Sequence, residues 1–279
     1  MKKLGFIGGG NMGSALIGGL LAKGHDAQSI VVVDPLDTVR ERLKTRFDVA
    51  TYPQCDSNAA AVDVIVLAVK PQYLHDAATR LRPLLKHQLV ISIAAGIRIA
   101  DLSRWLGGYR RLVRCMPNLP ALIGHGITGL FALPEVTADE KKQAEAILAT
   151  AGETLWIDSD ALVDAITAVS GSGPAYVFYF MEALQQAAEN LGFDSNAARK
   201  LALATFRGAS LLAQQSADAP ATLRAQVTSK AGTTEAAIAQ MEQSNVKDAI
   251  VNAVGAAAAR GRELGDQLGA QPAGVAASS

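Results

Sequence analysis

Gly8, Gly10 and Gly13 stand in the spacing G-x-G-x-x-G, directly after an apolar run and ahead of an amphipathic stretch reaching about Lys23. At such a place one glycine makes a tight turn, a second lets backbone approach a pyrophosphate, and a third lets helix and strand pack closely. Amides at the helix start, with Asn11 and Met12 on the turn, would hold phosphate oxygens. The spacing alone also fits a flexible turn; its place between a strand and a helix selects a dinucleotide site. Asp34, 21 residues beyond Gly13, ends the second apolar run. There a carboxylate accepts hydrogen bonds from the adenosine ribose and repels a 2′-phosphate, which favours NADH over NADPH. An ordinary Asp34-Pro35 turn is the alternative, and Arg40 and Arg42 lie close enough to blur the preference. Ala68-Val69-Lys70-Pro71 closes the fourth apolar run, where its backbone is placed to line the nicotinamide ribose. Lys70 reads equally as a solvated lysine, and Asn58 and Ala94-Ala95-Gly96 are weaker candidates for the same crevice.

A second constellation lies further along, in Val169-Ser-Gly-Ser-Gly-Pro174-Ala-Tyr-Val-Phe-Tyr179 and Val227-Thr-Ser-Lys-Ala-Gly-Thr-Thr-Glu235. Each precedes a strong helical pattern. Thr228, Ser229, Gly232, Thr233 and Thr234 at a helix start would offer amides and hydroxyls to an anion such as a carboxylate. Taken singly, these hydroxyls read as helix caps.

These groups must be positioned by two kinds of architecture. From Lys3 to about Ile157, short apolar runs alternate with amphipathic stretches, the pattern of βαβ units around a mostly parallel sheet. Strands are predicted at 3–8, 29–34, 48–51, 63–69, 88–94 and 111–116, with 126–132 and 153–157 extending the sheet. Thr137 and Glu140 form a capping-box signature ahead of a helix reaching Thr150. Beyond about Asp158 the strand signals stop, alanine becomes abundant, and no proline lies between Pro174 and Pro220. The expected fold class is therefore an α/β Rossmann-type domain over 1–159, then an all-helical domain over 160–270 and a disordered tail over 271–279. The many small, apolar helix faces point to an interface between subunits.

Lysine plus arginine and aspartate plus glutamate each total 26 of the 279 residues, with no long run of either sign. Nucleic acid is thus not an expected partner. Cys55 and Cys115 lack the spacing of a disulfide framework or zinc site, so no metal and a reducing, cytoplasmic compartment are expected. Glycines break the N-terminal apolar run, which therefore reads as a strand and not a signal segment. No unbroken apolar stretch is long enough for a membrane span.

The glycine loop, Val-Lys-Pro at 69–71, Met-Pro-Asn at 116–118, Ser-Gly-Ser-Gly-Pro-Ala-Tyr at 170–176 and Thr-Ser…Gly-Thr-Thr at 228–234 occur in one order. Together they closely resemble the Δ1-pyrroline-5-carboxylate reductases of proline biosynthesis, over residues 3 to 268. The resemblance implies reduction of 1-pyrroline-5-carboxylate to L-proline with NADPH or NADH. It also implies a helical domain that dimerises, decamers in some relatives, and an active site where the two domains, from two subunits, meet. On the same ground Ser229, Gly232 and Thr233 would hold the substrate carboxylate and Thr234 the ring nitrogen, while Val69, Lys70, Ala95 and Asn118 would lie around the nicotinamide. Two departures stand out. Lys230 and Ala231 replace a usual proline and glycine, which would change loop stiffness, and Gly13 is commonly alanine, a change expected to be nearly neutral.

The chemistry suits these residues. A cyclic imine nitrogen is basic enough to be substantially protonated near neutral pH, so placement of substrate against nicotinamide matters more than a strong acid. His25, His75, His87 and His125 all lie outside the polar segments, and His125 reads as a surface residue. Tyr176 and Tyr179 read as part of a core or interface face, and Glu182 and Glu235 carry no clear catalytic role. A β-hydroxyacid dehydrogenase is the alternative enzyme, but it would need a lysine early in the helix after its glycine motif, and none precedes Lys200 here. A non-catalytic dinucleotide sensor is the alternative from another class, and it has no use for the hydroxyl-rich loop at 228–234.

Overall fold

The computed structural model describes residues 2–270; the tail at 271–279, expected to have nothing to fold around, lies outside them. The chain forms two compact units, one of Met1–Ser172 with Ala257–Ser279 and one of Gly173–Ala256.

The first unit is a doubly wound sheet. Its strands are β1 (Leu4–Ile7), β2 (Ile30–Val33), β3 (Ala50–Tyr52), β4 (Val64–Leu67), β5 (Leu89–Ser92), β6 (Leu112–Met116), β7 (Gly126–Ala132) and β8 (Gly152–Trp156), in the spatial order β3-β2-β1-β4-β5-β6-β7-β8. All neighbours are parallel except β6 and β7. The central strands read Leu-Gly-Phe-Ile, Ile-Val-Val-Val and Val-Ile-Val-Leu with almost every residue buried, because helices cover both faces of a parallel sheet.

On one face lie α1 (Asn11–Ala22), α2 (Asp37–Phe47) and α5 (Ala138–Leu148), packed through Leu16, Ile17, Leu20, Leu43 and Ile147. On the other lie α3 (Pro71–Leu81) and α4 (Ile99–Trp105), packed through Leu74, Ala78, Leu102 and Trp105. The capping box forms as expected: the Glu140 amide donates to Thr137 Oγ1, and Glu140 Oε2 accepts from the Thr137 amide at 2.8 Å. Burial pushes the Glu140 carboxyl up, but bonds from Thr137 and Arg111 outweigh it and hold it below the usual range.

Arg114 is the largest fully buried side chain, 1% exposed in the middle of β6. It draws α6 (Asp160–Ile166) onto the sheet, donating to Asp160 Oδ1 at 2.8 Å and Asp164 Oδ1 at 2.5 Å. Asp160 Oδ2 in turn accepts the Ile99 amide at 3.2 Å and so caps α4, whose own N-cap side chain makes no such bond. A π-turn, Thr167–Gly171, continues α6.

The second unit is helical: α7 (Gly173–Asn190), α8 (Ser195–Gln215), α9 (Pro220–Gln226), α10 (Thr233–Gln243) and the start of α11 (Val246–Gly269). Asp194 caps α8 through the Asn196 and Ala197 amides. The last turns of α11 belong to the first unit, where Asp266 pairs with Arg98 at 2.6 Å and the Gly269 carbonyl accepts from Arg104 at 2.7 Å. Within the second unit the only buried residues described are Ala198 and Ala202, while Phe178, Tyr179, Leu191, Phe193, Leu211 and Leu212 are exposed. The Tyr176–Met181 stretch is therefore no core face, because α7 buries none of its residues within this chain. Apolar faces of this extent mark an interaction surface.

Removing one acid from Arg114 leaves a buried charge short of a partner, whereas an apolar residue of similar volume removes charge and need together. Asp164→Ala should cost about 3 kcal/mol, and Arg114→Met markedly less. Urea unfolding measures both, and equal losses would show that the pairing is not what matters.

Candidate active site

The strand order reverses between β1 and β4, and at such a switch point a doubly wound sheet opens a crevice beyond its strand ends. The loop after β1 and the loop after β4 meet there. Gly8 has φ +102°, and a Cβ on it would stand 2.5 Å from the Ala68 carbonyl oxygen and 2.9 Å from the Val69 amide nitrogen. Gly13 packs under the same turn: a Cβ on it would lie 2.7 Å from the Gly8 carbonyl oxygen. The expected neutrality of alanine at position 13 is thereby overturned for this chain, since that contact is with backbone and not with a side chain that can swing away.

Gly10 differs from both. Nothing lies within 4 Å of where its Cβ would be, so the protein's own packing does not demand a glycine there. Gly10 and Asn11 are exposed, no side chain caps α1, and the first turn closes only when the Ser14 amide reaches the Gly10 carbonyl at 2.8 Å. The amides ahead of Ser14 thus face an open cradle suited to a pyrophosphate. Met12 contributes backbone alone, because its side chain packs against the core.

Gly9, an unspecified position in the motif, is confined as well, by side chains of α2. A Cβ on it would meet Leu43 Cδ1 at 2.5 Å and Val39 Cγ1 at 2.8 Å. Its amide donates to Asp34 Oδ2 at 2.8 Å, and its carbonyl accepts from Arg42 at 3.0 Å and Ser14 Oγ at 3.1 Å. Asp34 is therefore turned inward. Its Oδ1 accepts the Leu36 amide at 3.0 Å, and the residue is 8% exposed. The preference for NADH expected from a free carboxylate does not follow, because both oxygens already bind the protein's own backbone.

Lys70 is the exposed N-cap of α3, with Pro71 opening the helix. Ala95 is half-buried beside Gly96, in the turn between β5 and α4. Asn118 follows β6, and its Oδ1 accepts the Ile127 amide at 3.0 Å, fastening the connection into β7. These residues and the glycine loop stand at the same, carboxyl-terminal edge of the parallel strands. Asn58 lies between β3 and β4, in an exposed turn closed by Asp56. The Ser-Gly-Ser-Gly segment runs from the end of the π-turn into the start of α7, and a Cβ on Gly171 would meet Met116 Cε at 2.7 Å, so it presses on the Met-Pro-Asn segment.

The other predicted cluster sits in the second unit. The Ser229 carbonyl accepts the Gly232 amide at 3.0 Å, closing a turn whose inner residues are Lys230 and Ala231. Ala231 has φ +58°, a left-handed conformation in which a Cβ is strained. Glu235 reaches back to accept the Ala231 amide at 2.6 Å. The Gly232 amide is thus committed within the loop and unavailable to an anion. Gly232 is required for room instead, since a Cβ there would stand 2.4 Å from Ser229 Oγ. Thr228 bonds to the Arg224 carbonyl at 2.6 Å. Thr233 and Thr234 open α10, no side chain caps that end, and the helix's first bond is from Ala236 to the Gly232 carbonyl. Among the described residues, the Thr233 and Thr234 amides and hydroxyls take no hydrogen bond.

Over residues 160–264 the sequence matches the family described as pyrroline-5-carboxylate reductase dimerisation, and over 3–96 it matches NADP oxidoreductase coenzyme F420-dependent. It is 45% identical to the pyrroline-5-carboxylate reductase of Pseudomonas aeruginosa over 96% of this chain and 98% of that one. The chain belongs to the pyrroline-5-carboxylate reductase family. Among solved structures, the Coxiella burnetii reductase is similar with a TM-score of 0.89 and 39% identity, covering 94% of this chain and 98% of that chain. The Plasmodium falciparum pyrroline carboxylate reductase, solved with NADP bound, is similar with a TM-score of 0.84 and 29% identity over 95% of this chain and 98% of that one.

The remaining candidates take structural places. Burial and the neighbouring Asp56 push the Cys55 thiol up to about 11, and burial drives Cys115 further, so neither is a nucleophile near neutral pH. His75 packs edge-on against Trp105, and His125 is exposed, as expected. Among the described residues no group of three or more His, Cys, Asp or Glu is arranged to hold a metal ion.

Gly9→Ala should lower the thermal midpoint by several degrees through its clash with Leu43 and Val39. Gly10→Ala should leave the midpoint unchanged while weakening dinucleotide binding, about tenfold or more, by obstructing the phosphates. Calorimetric titration beside thermal unfolding separates the two, and unimpaired binding in Gly10→Ala would remove the cradle. Ala231→Gly should raise stability by about 1 kcal/mol, because glycine adopts the left-handed turn without the Cβ penalty; urea unfolding that shows no gain would place the strain elsewhere.

Proposed function

We propose that this chain reduces 1-pyrroline-5-carboxylate to L-proline with NADPH or NADH, taking 1–159 as the dinucleotide domain and 160–270 as the dimerisation and substrate domain. The similarity to curated reductases across nearly the full length of both chains carries this reading. Its cytoplasmic setting is part of the same proposal; no helix among the described residues is long and apolar enough to cross a membrane. The working form is a homodimer formed through the apolar faces of α7 and α8, able to assemble into decamers, with no nucleic-acid or membrane partner.

When bound, the nicotinamide supplies a hydride to the imine carbon. The glycine loop, through Gly8, Gly10, Asn11, Met12 and Gly13, holds the cofactor's phosphates, with Asp34 bracing the loop from behind. Ala68, Val69, Lys70, Pro71, Ala95 and Asn118 flank the nicotinamide half, and Asn58 belongs to the same cofactor-binding set. Ser229 Oγ and the Thr233 amide hold the substrate carboxylate at the start of α10, where the helix dipole favours an anion. The Thr234 hydroxyl, in the first turn of α10, accepts a hydrogen bond from the protonated ring nitrogen and so fixes the ring's orientation. Because that nitrogen arrives protonated, no side chain has to deliver a proton at the moment of transfer, and catalysis is by placement. This agrees with a site built from amides and hydroxyls and lacking histidine.

Protein mixed with 1-pyrroline-5-carboxylate and reduced nicotinamide cofactor should consume the cofactor's near-ultraviolet absorbance and form proline in equal amount. Oxidation of a hydroxy acid with no turnover of the imine would instead assign a β-hydroxyacid dehydrogenase. Thr234→Ala should lower kcat about 10- to 100-fold by loss of one oriented hydrogen bond, and an unchanged kcat would take that hydroxyl out of the mechanism.

A further inference from the structure

The loop between α9 and α10 bends through a turn that its own residues do not favour. The Ser229 carbonyl accepts the Gly232 amide at 3.0 Å, and between them Ala231 is held at φ +58°. A residue with a Cβ avoids that left-handed conformation, so something outside the turn has to keep Ala231 in it. At the entrance Thr228 is tied to the end of α9, its hydroxyl donating to the Arg224 carbonyl at 2.6 Å and its amide to the Ala225 carbonyl at 3.1 Å. At the exit the N-cap, Gly232, has no side chain to offer. Glu235, the third residue of α10, reaches back past it, and its Oε2 accepts the Ala231 amide at 2.6 Å. A glutamate at this helix position ordinarily closes onto the N-cap amide. Here that amide is taken by Ser229, and the bond falls one residue earlier, on the strained alanine.

We infer that Glu235 is a positioning residue for the substrate carboxylate: by clamping Ala231 it fixes Ser229, on the other arm of the turn, relative to the start of α10. The inference rests on the reading that Ser229 and Thr233 hold the carboxylate of 1-pyrroline-5-carboxylate. A bond from an amide to an ionised carboxylate is among the stronger hydrogen bonds, which suits it to hold a backbone conformation that the chain resists. The negative charge of Glu235 is of no use to that task. It competes with an incoming anion for the same helix dipole, so what the side chain contributes to binding is its acceptor oxygen and not its charge. Thr234 lies within α10 and does not depend on the turn. The clamp therefore bears on how tightly the carboxylate is held, while Thr234 bears on how the ring is oriented when hydride is transferred.

Initial rates of the full-length protein with 1-pyrroline-5-carboxylate at saturating reduced cofactor test it, beside inhibition by L-proline, which carries the same carboxylate, and thermal unfolding. Glu235→Ala should raise the KM for the imine and the inhibition constant for L-proline each about tenfold and leave kcat within about twofold, the opposite split from Thr234→Ala. Glu235→Gln should keep both constants at or below the wild-type values, because an amide oxygen accepts the same bond without a charge beside the ligand. In an Ala231→Gly background glycine takes the left-handed turn unaided, so adding Glu235→Ala there should raise the KM by no more than about threefold. A helix cap with no part in binding would lower the thermal midpoint in Glu235→Ala and leave both constants where they were. That result, a glutamine variant as impaired as the alanine one, or a loss undiminished in the glycine background overturns the clamp and leaves the functional reading standing. No turnover of the imine by the wild-type protein overturns both.

Discussion

The Gly8 backbone approaches the Ala68 carbonyl so closely that no side chain fits between them, and the rest of the first unit is arranged around this contact. It joins the loop after β1 to the loop after β4 at the place where the strand order reverses. Because β1 pairs in parallel with both β2 and β4 in full register, a shift of either loop would have to move a buried central strand. Gly13 then brings the start of α1 against the underside of the same turn, which aims its unbonded amides into the crevice. The cradle is thus held chiefly by the core it grows from, with Ser14 adding bonds to the Gly9 and Gly10 carbonyls.

Polar contacts carry that rigidity outward. Asp34 and Arg42 grip the amide and the carbonyl of Gly9 from opposite sides, so the phosphate loop is braced by β2 and α2 as well as by the strand it follows. On the other side of the sheet Arg114 draws in Asp160 and Asp164, and Asp160 also caps α4, which begins just after the Ala95 turn. A buried arginine contributes little net stability once its desolvation is counted, and its worth lies in admitting one arrangement of α6 against β6. The π-turn that follows α6 and the Met116 side chain it touches inherit that placement.

The helical unit obeys another constraint. Its helices form readily, since alanine and long apolar side chains favour them and Asp194 starts α8 with a strong cap. It lacks an interior. With two alanines as its only buried residues among those described, its large side chains find little to pack on within one chain. Family membership accounts for this, because the same segment matches a dimerisation domain.

Local patterns in the sequence determined a great deal. Eight strands stand where the apolar runs place them, as buried β-branched tetrapeptides in a parallel sheet admit few alternatives, and the Thr137–Glu140 capping box is a purely local device. The ordered motifs were legible too, because a phosphate loop depends on glycine spacing that chain sequence states directly. Only the tertiary structure decided which glycine answers to the protein and which to a ligand: Gly9 is confined by Leu43 and Val39 from α2, whereas Gly10 faces open space. It likewise decided that Asp34 points inward, since a carboxylate's direction depends on which amides come near it. The partners of Arg114, a lone charge legible within an apolar strand, lie 46 and 50 residues away. Spacing records what a segment can do by itself, and the use made of it depends on neighbours that meet only when the chain folds.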